Sequence, residues 1–153
     1  MKIQVIHGPN LQLLGTREPT YYGNITLPEI DALLEKKAKS LKHDLLSFQS
    51  NHEGEIVDVI GKLSQNKFDF LIINPGALTH TSIAVRDAIL ASGIPAIEVH
   101  LSNIYAREPF RQKSYISDIV LGQISGLGHW GYLLAIEYAS EYYSKKVDAR
   151  SSK

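Results

Sequence analysis

Two hydrophobic periods alternate along this chain, and that alternation constrains the fold more than any other feature. Short apolar runs, rich in β-branched residues, lie at residues 3–6, 45–48, 70–73, 96–99 and 119–124. Segments with helical spacing follow them. The first carries Leu27, Ile30, Leu34, Ala38 and Leu41 on one face, and Thr26 with Glu29 forms a capping-box signature at its start. The second carries Ile56, Val57, Ile60 and Leu63, with Ser50 and Glu53 in the same capping relation. The third spans about 81–92 and is stopped by Gly93 and Pro95. A helical turn is expected at 107–111, and the last helix at 132–144. Strands alternating with helices imply a parallel sheet covered on both faces. The expected fold class is α/β, a flavodoxin-like five-stranded parallel sheet of order 2-1-3-4-5 with right-handed crossovers.

At 153 residues the chain makes one domain, expected over 1–144, with a polar tail at 145–153. A chain of this length buries roughly 70% of its unfolded surface, enough for a core without staples. Sixteen basic residues balance sixteen acidic ones. That balance argues against nucleic-acid and membrane-surface partners, whose affinity rests on excess positive charge. The absence of cysteine excludes a disulfide scaffold, a thiolate zinc site and a cysteine nucleophile. No signal-peptide pattern or membrane-length apolar run is visible, so a soluble, cytoplasmic protein is expected.

In an open α/β sheet, ligands bind beyond the carboxyl ends of the strands. Those ends here read Gly8-Pro9-Asn10, Gln49-Ser50-Asn51, Asn74-Pro75-Gly76 with Thr79-His80-Thr81, and Glu98-Val99-His100-Leu101-Ser102-Asn103. Each polar residue alone could simply cap a turn. Together they exceed what capping requires. Glu98 and His100, two apart on a strand, leave the same face. A carboxylate beside an imidazole fixes its orientation and favours its charged form, which suits a general acid. The rival readings are a structural histidine and a metal site with His80 or His7, although nothing has the spacing of a known metal motif.

Residues 15–23, Gly15-Thr16-Arg17-Glu18-Pro19-Thr20-Tyr21-Tyr22-Gly23, have no apolar period and two bracketing glycines. They read either as an ordinary connection or as an active-site lid carrying an arginine and two tyrosines. Arg17, Arg86, Arg107 and Arg111 fall within or beside the polar blocks, whereas the lysines lie mainly on helices, their flanks and the termini. That segregation favours carboxylate recognition over imine chemistry. Gly126-Leu127-Gly128-His129-Trp130-Gly131 is a literal G-x-G-x-x-G, but too little chain follows for a dinucleotide unit. Its glycines are expected to let the last helix pack closely on the sheet.

Taken together, the blocks resemble the type II 3-dehydroquinate dehydratases from Gly8 to Tyr132. The matching stretches include Arg17-Glu18-Pro19, Tyr22-Gly23, Gln49-Ser50-Asn51, Ile73-Asn74-Pro75-Gly76-Ala77, Arg86-Asp87-Ala88, the Glu98–Asn103 block and Arg107-Glu108. The resemblance implies a hydro-lyase that converts 3-dehydroquinate to 3-dehydroshikimate, the third step of the shikimate pathway. It implies anti elimination through an enolate, with no cofactor and no metal. On that template Tyr22 is the base, Arg17 lowers its pKa, and Asn10 holds the water that stabilises the enolate. His100, positioned by Glu98, protonates the departing hydroxyl. Asn74, His80, Leu101, Ser102 and Arg111 bind substrate. Asp87 reaches a neighbouring subunit's site in a trimer, and four trimers build a dodecamer. Gln12 departs from the asparagine that many members carry there. The competing functions are a flavin electron carrier, a phosphorylated receiver, and a non-catalytic or small-molecule-binding module of the same fold.

Overall fold

The computed structural model describes residues 1–16 and 24–151. Its sheet has five strands: β1 (Lys2–His7), β2 (Asp44–Gln49), β3 (Phe70–Asn74), β4 (Ala96–His100) and β5 (Gly122–Ser125). All pair in parallel, in the order β2-β1-β3-β4-β5. This is the doubly wound, flavodoxin-like arrangement that the alternating periods predict.

Side-chain alternation along the strands divides the core in two. Ile3 and Val5 of β1, with Phe70 and Ile72 of β3, point to helices α1 (Leu27–Ser40) and α4 (Trp130–Ser151). Ile6, Leu71 and Ile73 point to the other face, covered by α2 (Glu53–Gly61) and α3 (Ile83–Ser92). Ile30, Leu34 and Ala38 are the buried stripe of α1; Tyr132, Ala135, Ile136 and Ala139 are that of α4. The Thr26–Glu29 capping box is formed in both directions. Such a cap is worth about 1 kcal/mol to the helix.

Three expectations need correction. Ser50 and Glu53 do not make a capping box: α2 is entered from His52, and the Ser50 hydroxyl accepts from the His52 N–H and donates to Glu55. The last strand does not begin at 119. Ile119 and Val120 close a turn on Ile116 and pack on the α2–α3 side, and pairing starts at Gly122 beside Ile97. The apolar run was spent on covering the core before the chain entered the sheet. Finally, the last helix, expected to end at 144, runs on as α4 to Ser151. No glycine or proline follows Gly131 to stop that helix, and Lys145 pairs with Glu141 one turn back at 3.1 Å.

Glycines matter most where β1 meets β3. A Cβ on Gly8 would stand 2.2 Å from the Pro75 carbonyl oxygen. The Cβ would be fixed rigidly to its own backbone and the oxygen belongs to the Pro75 backbone, so neither can turn aside, and the Gly8 N–H donates to Asn74 O at 2.7 Å. Gly8→Ala is therefore expected to cost about 2–3 kcal/mol, lowering Tm by roughly 5–10 °C. A thermal melt unchanged within about 1 °C would show that the two loops separate more easily than this contact implies.

Candidate active site

The loops after β1, β3 and β4 enclose a cleft at the carboxyl edge of the sheet. Asn10, Asn74, His80, His100, Leu101, Ser102 and Arg111 all line it, with Leu11, Leu14, Ile104 and Arg107. Polar groups predicted from separate blocks of sequence thus meet in one place. Arg17 and Tyr22 lie outside the described residues. Asp87 does not line this cleft; it stands exposed on α3. Its neighbour Arg86 pairs instead with Asp118 through both guanidinium nitrogens and donates to Tyr115 O.

Glu98 and His100 form a buried carboxylate–imidazole pair at the edge of the cleft. Both leave the same face of β4, and Glu98 is wholly buried. The imidazole Nε2–H donates to Glu98 Oε1 at 2.7 Å. That bond leaves Nδ1 for the cleft. The carboxylate also receives the Thr79 hydroxyl, and Ser114 Oγ lies 2.9 Å from both of its oxygens. Burial pushes the Glu98 pKa up, but the hydrogen bond and charge of His100, with the Thr79 and Ser114 hydroxyls, outweigh it. The net direction is below the ordinary carboxylate value. Ser114 Oγ in turn accepts the N–H groups of Ile116 and Ser117, so its single hydrogen is committed to Glu98.

His80 is held in the opposite sense. Its Nδ1–H donates to Lys113 O at 2.7 Å, and its ring stacks on His100 with centroids 6.5 Å apart. Burial lowers its pKa most; the bond to Lys113 O opposes this, and the charges of His100 and Arg111 lower it further. A neutral His80 with Nδ1–H presents Nε2 as an acceptor, suited to a substrate hydroxyl. Because the folded value lies below the unfolded one, the stability from a neutral His80 is fully present above pH 6.5. It declines as pH falls towards the folded value. An NMR titration is expected to place the His80 midpoint below 6.5, with substrate affinity weakening as the ring protonates. A midpoint above 6.5 would reverse this assignment of donor and acceptor.

The loop after β1 is locked from the side. Asn10 takes a left-handed φ of 68°, and its N–H donates to Asn51 Oδ1 at 2.9 Å. Gln49 Nε2 lies within hydrogen-bond distance of Gly8 O, Gln12 Oε1 and Asn51 Oδ1. Gln12, the departure noted in sequence, is thus part of the brace that holds Asn10. On the far side, Gly126 N–H and Gly128 N–H donate to the carbonyls of His100 and Leu101. Of the G-x-G-x-x-G, only Gly131 serves helix packing, against Ile124 and Val99; the other two glycines support the end of β4.

Sequence reasoning missed Arg107, Thr79 and Ser114 as site residues. Arg107 is largely buried in the cleft wall, with Nη1 3.5 Å from Ser102 Oγ. Its signals were its place in a matching block and among the arginines beside the polar blocks, neither of which gave it a role of its own. Thr79 likewise lay inside such a block, and Ser114 gave no signal at all. Among the described residues, no group of three His, Cys, Asp or Glu side chains could hold a metal ion.

Residues 1–140 match the family model described as dehydroquinase class II. The chain belongs to that family. A 3-dehydroquinate dehydratase of Marinobacter nauticus is 58% identical over 137 residues, which is 90% of this chain and 94% of the relative. One from Pseudomonas savastanoi pv. phaseolicola is 55% identical over 139 residues, covering 91% and 93%. The crystal structure of type II dehydroquinase from Butyrivibrio crossotus superposes with a TM-score of 0.89 at 45% identity, covering 91% of this chain and 97% of that one. The class II dehydroquinase match extends through Tyr132 and ends within α4, so it includes every element that lines the cleft.

Proposed function

We propose that this class II dehydroquinase is a 3-dehydroquinate dehydratase, a hydro-lyase that removes water from 3-dehydroquinate to give 3-dehydroshikimate in the shikimate pathway. The observation that carries the mechanism is the buried Glu98 carboxylate bonded to Nε2 of a His100 that lines the cleft. Tyr22, assisted by Arg17, takes the proton next to the ketone and leaves an enolate. Asn10 holds the water that hydrogen-bonds the enolate oxygen. The electron pair then returns to form the ring double bond as the hydroxyl departs. His100 gives that hydroxyl a proton from Nδ1, so it leaves as water, while Nε2–H stays on Glu98. No cofactor enters the balance.

His80 and Asn74 meet the substrate's hydroxyls, and Leu101 and Ser102 contribute at the end of β4. Arg111, beside Arg107, offers a fork for the carboxylate. A non-catalytic or merely small-molecule-binding module is less well supported, because the acid–imidazole pair opens on a cleft that Asn10, Asn74 and Arg111 also line.

The enzyme works in the cytoplasm as a homo-oligomer, a dodecamer of four trimers in which Asp87 reaches a neighbour's cleft. What supports the assembly is the outer face of α3, where Asp87 is flanked at helical spacing by exposed Ile83 and Leu90. Sedimentation would separate a dodecamer from a trimer or a monomer.

The activity is tested by mixing the protein with 3-dehydroquinate and following the ultraviolet absorbance of the conjugated enone. The absorbance is expected to rise without added metal or cofactor. Folded protein that produces no enone would sink the reading.

A further inference from the structure

Residues 113–118 form neither helix nor strand, yet three of them bear directly on the cleft. Lys113 O accepts the Nδ1–H of His80 at 2.7 Å. Ser114 Oγ donates to the Glu98 carboxylate that holds His100. The Tyr115 N–H donates to Thr79 O at 2.8 Å, which ties the segment to the turn carrying Thr79 and His80. His80 and His100 thus both depend on this one short stretch.

The segment has no ladder of its own to hold it. Ile116 is buried in the α2–α3 core, which fixes its depth. Apolar contact has no direction, so it sets neither where Lys113 O points nor where Ser114 Oγ lies. Direction on the far side comes from Arg86 of α3. Its Nη1 donates to Tyr115 O at 2.7 Å and to Asp118 Oδ1, and Nη2 donates to Asp118 Oδ2 at 3.0 Å. A rigid planar fork therefore spans the segment from 115 to 118. An exposed ion pair by itself contributes little to stability. This one also grips a backbone carbonyl, so Tyr115 is held at both its N–H and its C=O, one towards the site and the other towards α3.

We infer that Arg86 is a positioning residue for the proposed dehydration: clamped on Tyr115 O and Asp118, it holds residues 113–118 where Lys113 O sets His80 and Ser114 sets the Glu98–His100 pair. The role rests on the reading of those two histidines as the substrate-binding and proton-donating groups. Arg86 does not line the cleft, so it acts through the segment alone. The segment transmits its position because Ser114 Oγ accepts the N–H groups of Ile116 and Ser117 at 3.1 and 3.0 Å. A shift of the backbone that Arg86 grips therefore moves the hydroxyl that meets Glu98.

The clamp is tested first in ligand-free, folded protein. A carbonyl only accepts, so nitrogen-15 shifts of wild-type His80 are expected to show a single Nδ1-protonated tautomer. In Arg86→Met and Asp118→Ala the ring is expected to become a mixture with the Nε2-protonated form. A His80 ring that ignores both variants would overturn the inference. In turnover of 3-dehydroquinate, Arg86→Met is expected to raise KM and lower kcat, each by about three- to tenfold. Lys37→Met breaks an ion pair to Glu137 that lies away from the cleft, and it is expected to leave both constants and His80 unchanged. Equal damage from Lys37→Met would make lost stability the cause and refute the clamp. Ser114→Ala is expected to lower kcat about tenfold, since a hydrogen bond to a buried carboxylate is lost. Adding Arg86→Met to it is expected to lower kcat little further, because both act on Glu98. Fully additive losses would route Arg86 elsewhere and overturn the inference. Asp118→Ala, at an exposed position, carries the test should Arg86→Met not fold. Wild-type turnover is scored separately: its absence would defeat the dehydratase reading, while the His80 tautomer would still decide the clamp.

Discussion

Replacing His100 by alanine is expected to lower kcat by about 10²–10⁴-fold, with KM changed only a few fold. Among the described residues that line the cleft, His100 is the imidazole with one nitrogen fixed on a buried carboxylate, which suits it to donate a proton from the other. Its loss removes an interaction made with the departing hydroxyl in the transition state, so the effect falls on kcat. The Glu98 carboxylate would remain buried, yet Thr79 and Ser114 would still donate to it. Folding of the variant is therefore expected to survive at reduced stability. Glu98→Gln is the companion variant: it keeps the shape and removes the charge that organises the ring. Steady-state kinetics of both would check the assignment, and a His100→Ala kcat within about tenfold of wild type would defeat it. Acid stability gives an independent reading. The folded pKa of Glu98 lies below its ordinary value, so its contribution is fully present above the unfolded pKa and is lost as pH falls through the folded one.

What the sequence made legible follows from physical range. Period and capping are local, so the strands, the Thr26–Glu29 box and the Gly93 stop could be read directly. Glu98 and His100 were legible for the same reason, since two positions on one strand must share a face. Asn10, Asn74 and His80 needed one further rule, that an open sheet binds ligands at its carboxyl edge. Ser114 was invisible because nothing in its own segment requires a serine. Its meaning arises only when Glu98, sixteen positions earlier, is buried beneath it. The Ser50–Glu53 expectation failed for a related reason. The pair has the right spacing, but the Ser50 hydroxyl found the His52 N–H nearer than the N–H three residues on. The apolar residues at 119 and 120 satisfied the composition of a strand while serving as a cover for the α2–α3 core. Composition reports burial more faithfully than it reports backbone pairing.

Tyr22→Phe is expected to abolish turnover to about the same extent as loss of His100, by about 10²–10⁴-fold, and to do so at every pH. Tyr21→Phe is expected to leave kcat within a few fold. The two flanks of segment 17–23 meet beside the cleft, where a Cβ on Gly15 would press on the Thr26 side chain and Leu14 forms part of the wall. Chemistry then dictates what Arg17 must do. A free tyrosine titrates near 10, so a tyrosinate base at neutral pH needs its pKa lowered by about two to three units, or about 3–4 kcal/mol. One guanidinium at about 4 Å, in an effective dielectric near 20, supplies about that much. Removing the charge with Arg17→Gln should therefore return the base towards its ordinary pKa and cut the ionised fraction at pH 7 by about 10²–10³-fold. That loss differs in kind from the loss in Tyr22→Phe. It is expected to be recovered as pH rises towards 10, because the base is still present and only its proton must be removed, whereas the phenylalanine variant stays inactive. A pH–rate profile of Arg17→Gln that is low and flat up to pH 10 would separate Arg17 from the base and assign it to substrate binding alone.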